Sequence, residues 1–259
     1  MNRPDHTTGC VIGRFVPPHR GHRLLIERAI SGCDELWILI VGCTNDETFC
    51  PLTQRAAWLR EMFESPTVHV VPIISDLPNS NGNQVILRAW CNLMRAAMGR
   101  DSVDFLFSSE RGTYAEGTSA NLGAQHIMND PDRRLAPISG TAIRKDPLSA
   151  WDYLDTPVRG YFAARILLVG KAATSVAAVL AHRYHTTWTE AGGEAEDLAA
   201  RRAMRLLFCA ARGDVQTKQY AMICDADISE AVETISKRIE MRWSALKPGG
   251  AWRSRERLS

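Results

Sequence analysis

The chain has 259 residues, 45% of them hydrophobic and 23% charged, which is the balance of an ordinary globular protein and excludes a disordered or coiled-coil one. Its 31 Lys and Arg against 29 Asp and Glu leave a formal charge of +2, no electrostatic basis for wrapping nucleic acid. Apolar runs such as Leu36 to Val41 fall far short of the roughly 20 residues that span a bilayer, and the polar start from Met1 to Thr8 has no secretory pattern, so a cytoplasmic protein without membrane or nucleic-acid partners is expected.

In chain order, Gly9 to Gly13 reads as a first strand and Gly21 to Ser31 as a helix with Leu24, Leu25, Ala29 and Ile30 on its apolar face. Leu36 to Gly42 is a second strand, Arg55 to Phe63 has helical spacing, and Val68 to Ile74 is rich in β-branched residues. Val85 to Met98 is helical, and Asp104 to Phe107 is a strand ending in the polar Ser108, Ser109 and Glu110. Strands alternating with helices predict an α/β fold, a Rossmann-like parallel sheet with crossover helices. A second alternation follows: a strand at Arg165 to Val169, helices at Thr174 to Tyr184 and Glu196 to Arg212, and a strand at Tyr220 to Cys224. A boundary near Thr156 to Tyr161 divides the chain into domains 1–158 and 159–259. From Lys237 to Ser259 there are seven basic and two acidic residues with Pro248, Gly249 and Gly250 among them, the composition of a solvated, frayed end. The seven cysteines are scattered, with no C-x-x-C pair, and are expected as buried free thiols.

The chemistry is concentrated in Gly13-Arg14-Phe15-Val16-Pro17-Pro18-His19-Arg20-Gly21-His22, where the first strand hands over to the first helix. Glycine at 13 and 21 lets backbone approach a ligand closely. The helix start offers free N–H groups and the positive end of a dipole, which suits phosphate. His19 and His22 are spaced to face one anion, and Arg14 adds a charge that does not titrate. A second cluster lies at Ile138-Ser139-Gly140-Thr141-Ala142-Ile143-Arg144, where Ser139 is a good N-cap and Arg144 falls about one turn into the helix. Together, two helix starts can grip one triphosphate.

The H-x-G-H loop after strand one and the I-S-x-T-x-I-R helix start resemble the nucleotidyltransferase superfamily, in particular the nicotinamide mononucleotide (NMN) adenylyltransferases of NadR-like type. The resemblance covers about residues 10 to 160. It includes Pro51-Leu52-Thr53-Gln54-Arg55 with Trp58-Leu59, similar to a P-F-T-x-x-x-R segment but two residues shorter, and Trp151-Asp152-Tyr153-Leu154 with Pro157-Val158. Phe49 and Cys50 stand where related chains often carry a basic residue, and Ser109-Glu110 where they have glycine or a small polar residue.

The resemblance implies that the 5′-phosphate of NMN attacks the α-phosphorus of ATP in line and expels pyrophosphate, giving NAD without a covalent enzyme intermediate or general base. It implies that His22 and the N–H groups near Phe15 hold ATP phosphates, and that His19 and Arg14 stabilise developing charge. Arg144, Ser139 and Thr141 would grip the leaving phosphates, Gly13 and Gly21 would let the backbone close in, and Trp90 would stack on the nicotinamide. Mg²⁺ would arrive with ATP and keep mostly water ligands, with no dedicated protein site.

NadR-like chains continue into a kinase with a G-x-x-x-x-G-K-[ST] phosphate loop. Here the matching stretch is Gly170-Lys171-Ala172-Ala173-Thr174-Ser175-Val176, which lacks that lysine and the metal-binding hydroxyl. Ile223-Cys224-Asp225-Ala226-Asp227 resembles the acidic strand end of such kinases. The second domain is therefore expected to be a degenerate P-loop-like lobe, catalytically silent, with a lid or a homo-oligomer contact as alternative roles. The competing readings of the whole are a non-catalytic pyridine-nucleotide-binding regulator and an adenylyl- or cytidylyltransferase for another phosphorylated substrate.

Overall fold

The structure, a computed structural model, describes residues 6–44, 49–79, 83–202, 205–211, 221–223 and 227–242. The chain divides into two compact units, Met1–Arg144 and Lys145–Ser259, so the division precedes the expected Thr156 to Tyr161. Among the described residues no helix is long and apolar enough to cross a membrane.

In the first unit β1 (Thr8–Gly13), α1 (Arg20–Ile30), β2 (Glu35–Gly42), α2 (Leu52–Met62) and β3 (Val68–Ile74) follow one another. Next come α3 (Gln84–Met98), β4 (Phe105–Ser108), α4 (Thr113–Leu122), β5 (Gln125–Met128) and α5 (Gly140–Lys145). The strands form one parallel sheet in the order β3-β2-β1-β4-β5. Alternation along each strand sends side chains to opposite faces. Val11, Ile38, Ile40 and Phe107 pack with Leu25, Ile26 and Ala29 of α1 and Leu59 of α2. Cys10, Trp37, Leu39 and Leu106 pack instead with Cys91, Met94 and Met98 of α3 and Leu122 of α4. Each fully buried aliphatic side chain is worth about 1.5–3 kcal/mol. The Asp104 carboxylate fixes the start of β1 by accepting from the Thr8 backbone N–H at 2.7 Å and its hydroxyl at 2.8 Å.

This strand order has a functional consequence. The chain runs outward from β1 to β3, then returns to lay β4 on the other side of β1. The crevice outside the C-terminal ends of β1 and β4 is thus the topological switch point, where open parallel sheets take ligands.

Two elements here were not legible in the sequence. α4 carries Gly117 within it and has little amphipathic character, and it is closed by Gly123 in the left-handed region at φ 69°. β5 is a four-residue edge strand with no fully buried residue, so it has no apolar run to mark it.

In the second unit a short 3₁₀ turn (Trp151–Tyr153) and α6 (Thr156–Phe162) precede β6 (Ala164–Val169), α7 (Ala173–Arg183) and β7 (Thr187–Glu190). They are followed by α8 (Gly193–Arg202), β8 (Leu206–Ala211), β9 (Ala221–Ile223) and α9 (Ile228–Arg242). The sheet order is β7-β8-β6-β9, all parallel. The expected helix from Glu196 to Arg212 is corrected: it ends at Arg202, and Leu206 to Ala211 is an inner strand buried at every residue. A strand covered on both faces is apolar without alternation, so its period cannot be told from that of a buried helix. The tail expectation is corrected over 237–242, which belong to α9, with Ile235 and Ile239 in the core of this unit. The rest of the tail, 243–259, and Cys224, Asp225 and Ala226 of the acidic strand end lie outside the described residues. None of the six described cysteines is in a disulfide, and five of them are buried.

Candidate active site

β1 ends at Gly13 beside the switch point, and the next residues turn sharply. Phe15 sits at φ 50°, in the left-handed region, where a bulky residue costs about 1–2 kcal/mol. Its ring is buried under the turn, and a Cβ at position 13 would approach that ring to 3.2 Å, tighter than ordinary contact, so any side chain there would displace the ring by a few tenths of an ångström. The Phe15 ring also meets His22 edge-on at 4.8 Å between centroids.

His19 is the N-cap of α1: its Nδ1 accepts from the Gly21 N–H at 3.1 Å. An imidazole here replaces the usual Ser or Asp. The ring folds back over the helix start because residue 21 lacks a side chain; a Cβ there would lie 3.0 Å from His19 Cε1. His19 and His22 then stack at 3.8 Å with 29° between planes. Burial, and next the nearby Arg133 charge, hold the His19 imidazole down at about 4. Burial, His19 and Arg133 hold His22 well below the ordinary value. Both rings are therefore neutral at pH 7. Since Nδ1 of His19 is an acceptor, its proton resides on Nε2. His22 Nδ1 is enclosed without a hydrogen-bond partner. A neutral imidazole carries one N–H, so the pair offers two donors and no charge at pH 7.

The second motif is physically joined to the first. Ser139 caps α5 by accepting from the Ala142 N–H at 3.1 Å. Arg144 Nη1 donates to the Val16 carbonyl at 2.8 Å, and Nη2 donates to Thr141 Oγ1 at 3.0 Å. Gly140 permits this approach, since a Cβ there would lie 2.8 Å from the Val16 carbonyl oxygen. Gly140→Ala is accordingly expected to push α5 off the loop and weaken binding of inorganic tripolyphosphate by about tenfold, read by isothermal titration calorimetry. Arg14 and Arg144 are both exposed. Imidazole, guanidinium, hydroxyl and backbone N–H are donors for phosphate oxygens, and among the described residues no three His, Cys, Asp or Glu side chains converge to hold an ion.

Trp90 stands on α3 with contacts of its own. It is 7% exposed, and its indole N–H donates to the Pro78 carbonyl at 2.9 Å. That bond anchors the segment after β3, which with α3 lines a cleft of about 650 Å³ that includes Ile74, Leu77, Ala89 and Leu93. Two residues outside the sequence-derived set belong to this site. Arg133 acts electrostatically on both histidines. It lies in a turn with Asp130 and Arg133 left-handed, in which the Asp130 carboxylate accepts from the N–H groups of Arg134, Leu135 and Ala136. The Asp-Pro start of that turn is visible in the sequence, but its approach to His19 is not. The other is Arg55, which donates to the Arg14 carbonyl. In the second unit, Gly170 at φ 123° leads into α7, whose N-cap Ala172 makes no side-chain cap bond.

A family model described as Cytidylyltransferase-like matches residues 10–146, more than half of the chain and both motifs. The chain belongs to the cytidylyltransferase-like family. Within it, the protein is similar to the "Trifunctional NAD biosynthesis/regulator protein NadR" of Escherichia coli and of Salmonella typhimurium, each 28% identical over 203 residues. The match covers 71% of this chain and 48% of each relative, so the chain spans about half the length of the curated relatives it matches. A solved NadR structure in complex with NAD and AMP-PNP shares the fold at a TM-score of 0.64 and 18% identity, over 91% of this chain and 77% of that one. Another, in complex with NR, gives 0.63 at 19% identity over 91% and 76%. This cytidylyltransferase-like chain is thus NadR-like, with a Rossmann-like first sheet and a second α/β unit.

Proposed function

We propose that the first unit is an NMN adenylyltransferase, which transfers AMP from MgATP to NMN to give NAD and pyrophosphate. The observation that carries this reading is the junction of the two motifs: a stacked pair of neutral histidines at the start of α1, tied through Val16 to Arg144. The family and the NadR-like relatives support nucleotidyl transfer; the choice of NMN rests on the likeness to NadR.

The nucleophile is a phosphate that is already ionised, so the chain's residues need only position and stabilise charge. The Nε2–H of His19 and the ring N–H of His22 donate to phosphate oxygens of the triphosphate. Arg14 and Arg144 neutralise charge as the bond to pyrophosphate breaks, and Ser139 and Thr141 hold the helix start that carries Arg144. Mg²⁺ enters as part of the substrate, bound to phosphate oxygens. Trp90 is assigned to the nicotinamide pocket, with the cleft between β3 and α3 beside it. The second unit is proposed to be catalytically silent, because no lysine occupies the position from which one would reach β and γ phosphates.

The test is NAD formation by the full chain from NMN and MgATP, with pyrophosphate measured alongside. NAD and pyrophosphate in equal amounts, lost in His22→Ala, is the expected result. MgATP and NMN binding without turnover would replace it with a sensor, and product from a different phosphorylated substrate alone would reassign the acceptor. Phosphorylation of nicotinamide riboside by the same chain would overturn the silent second unit.

A further inference from the structure

Arg55 is fully buried in the first turn of α2. Its Nη1 donates to the Arg14 carbonyl at 2.6 Å and to the Val41 carbonyl at 3.0 Å. These carbonyls lie at the C-terminal ends of neighbouring strands, just past the last pairing of β1 with β2, Gly13 with Ile40. There β1 leaves the sheet, and Arg55 supplies a donor where the ladder supplies none. The next residue is Phe15 in its left-handed conformation, and the carbonyl beyond it, Val16, is held by Arg144. The carbonyls on either side of the strained residue are therefore each held by an arginine. One arginine is exposed and can reach a ligand; the other cannot.

We propose that Arg55 is a positioning residue for nucleotidyl transfer: without touching substrate, it fixes the backbone of Arg14 to Val16 so that Arg14 and the stacked histidines converge on one anion. A strained turn persists only where its surroundings over-determine it, and a buried guanidinium with two carbonyl acceptors does that here. Both bonds come from Nη1, and a lysine side chain ends one bond short of that atom, so Arg55→Lys keeps the charge and loses the reach. The rate prediction rests on the adenylyltransferase reading; the loop prediction does not.

The experiment compares the full-length wild type with Arg55→Lys and Arg55→Gln by three measurements: urea unfolding, the NMR titration of the His19 ring, and affinity for inorganic tripolyphosphate. In a folded variant, the His19 midpoint is expected to climb from about 4 toward its ordinary value as the loop opens to water. Tripolyphosphate affinity falls by about tenfold or more, and kcat for NAD formation falls by at least as much while KM for NMN stays within about twofold. A folded variant with the wild-type titration and affinity overturns the proposal. If neither variant folds, Arg55 serves the stability of the whole unit, which also overturns it. If the wild type makes no NAD while the variants still shift the His19 titration and tripolyphosphate affinity, the adenylyltransferase reading fails and the positioning role stands.

Discussion

Arg144→Ala is expected to lower kcat/KM for NAD formation by about 10³-fold, the largest single loss in this site. Two effects combine in it. In the proposed reaction the guanidinium would neutralise charge on the departing pyrophosphate, and in the same residue Nη1 holds the Val16 carbonyl at 2.8 Å. Alanine removes both, leaving α5 and the phosphate loop without their connection. Arg144→Lys separates them: it keeps a cation near the leaving group but cannot hold Val16 and Thr141 together as the planar fork does. Its expected loss is about 10²-fold, with kcat affected more than KM. Steady-state kinetics with NMN and MgATP decide the matter, and a Lys variant with wild-type kcat would show that charge alone matters at this position.

Stability of the first unit is expected to fall as pH drops from about 6.5 to about 4, and His19 together with His22 is the identifiable cause. The folded-state value for His19 is about 4, below its ordinary 6.5. Between these values the unfolded chain binds a proton that the native state refuses. The stabilisation is fully present above the upper value and is lost as pH falls toward the lower one. Its size is about 3 kcal/mol. A proton on Nδ1 would also remove the acceptor that caps α1 through Gly21. His19→Asn retains a capping acceptor but has no imidazole to titrate. Urea unfolding from pH 7 to 4 is therefore expected to be flatter in His19→Asn than in the wild type. Equal slopes would remove His19 from the account. The same variant should make little NAD at any pH, since the Nε2–H donor is gone.

The elements that carry the two motifs were legible in sequence because their signals are local. A strand followed by glycine, histidine and a helix start specifies a strand-to-helix turn within ten residues, and Ser139 followed by Gly140 and Thr141 specifies a capped helix start; the structure has both turns. Helical period marked α1 to α3, and apolar runs of strand length set off by glycine or polar residues marked β1 to β4, including β1 and β2, which are buried on both faces. Where both faces are buried, as in β8, the period vanishes, and the sequence reading extended a helix through a strand. The electrostatic state of the site was not local either. That two histidines three residues apart are neutral depends on burial and on Arg133, more than a hundred residues away in the chain. That Arg55 holds the Arg14 carbonyl depends on β1 and β2 ending side by side. Residue types and spacing determined which groups could bind a phosphate. Strand order brought the two motifs to one end of the sheet, and burial, which only the assembled sheet and helices create, decided which of those groups carry charge.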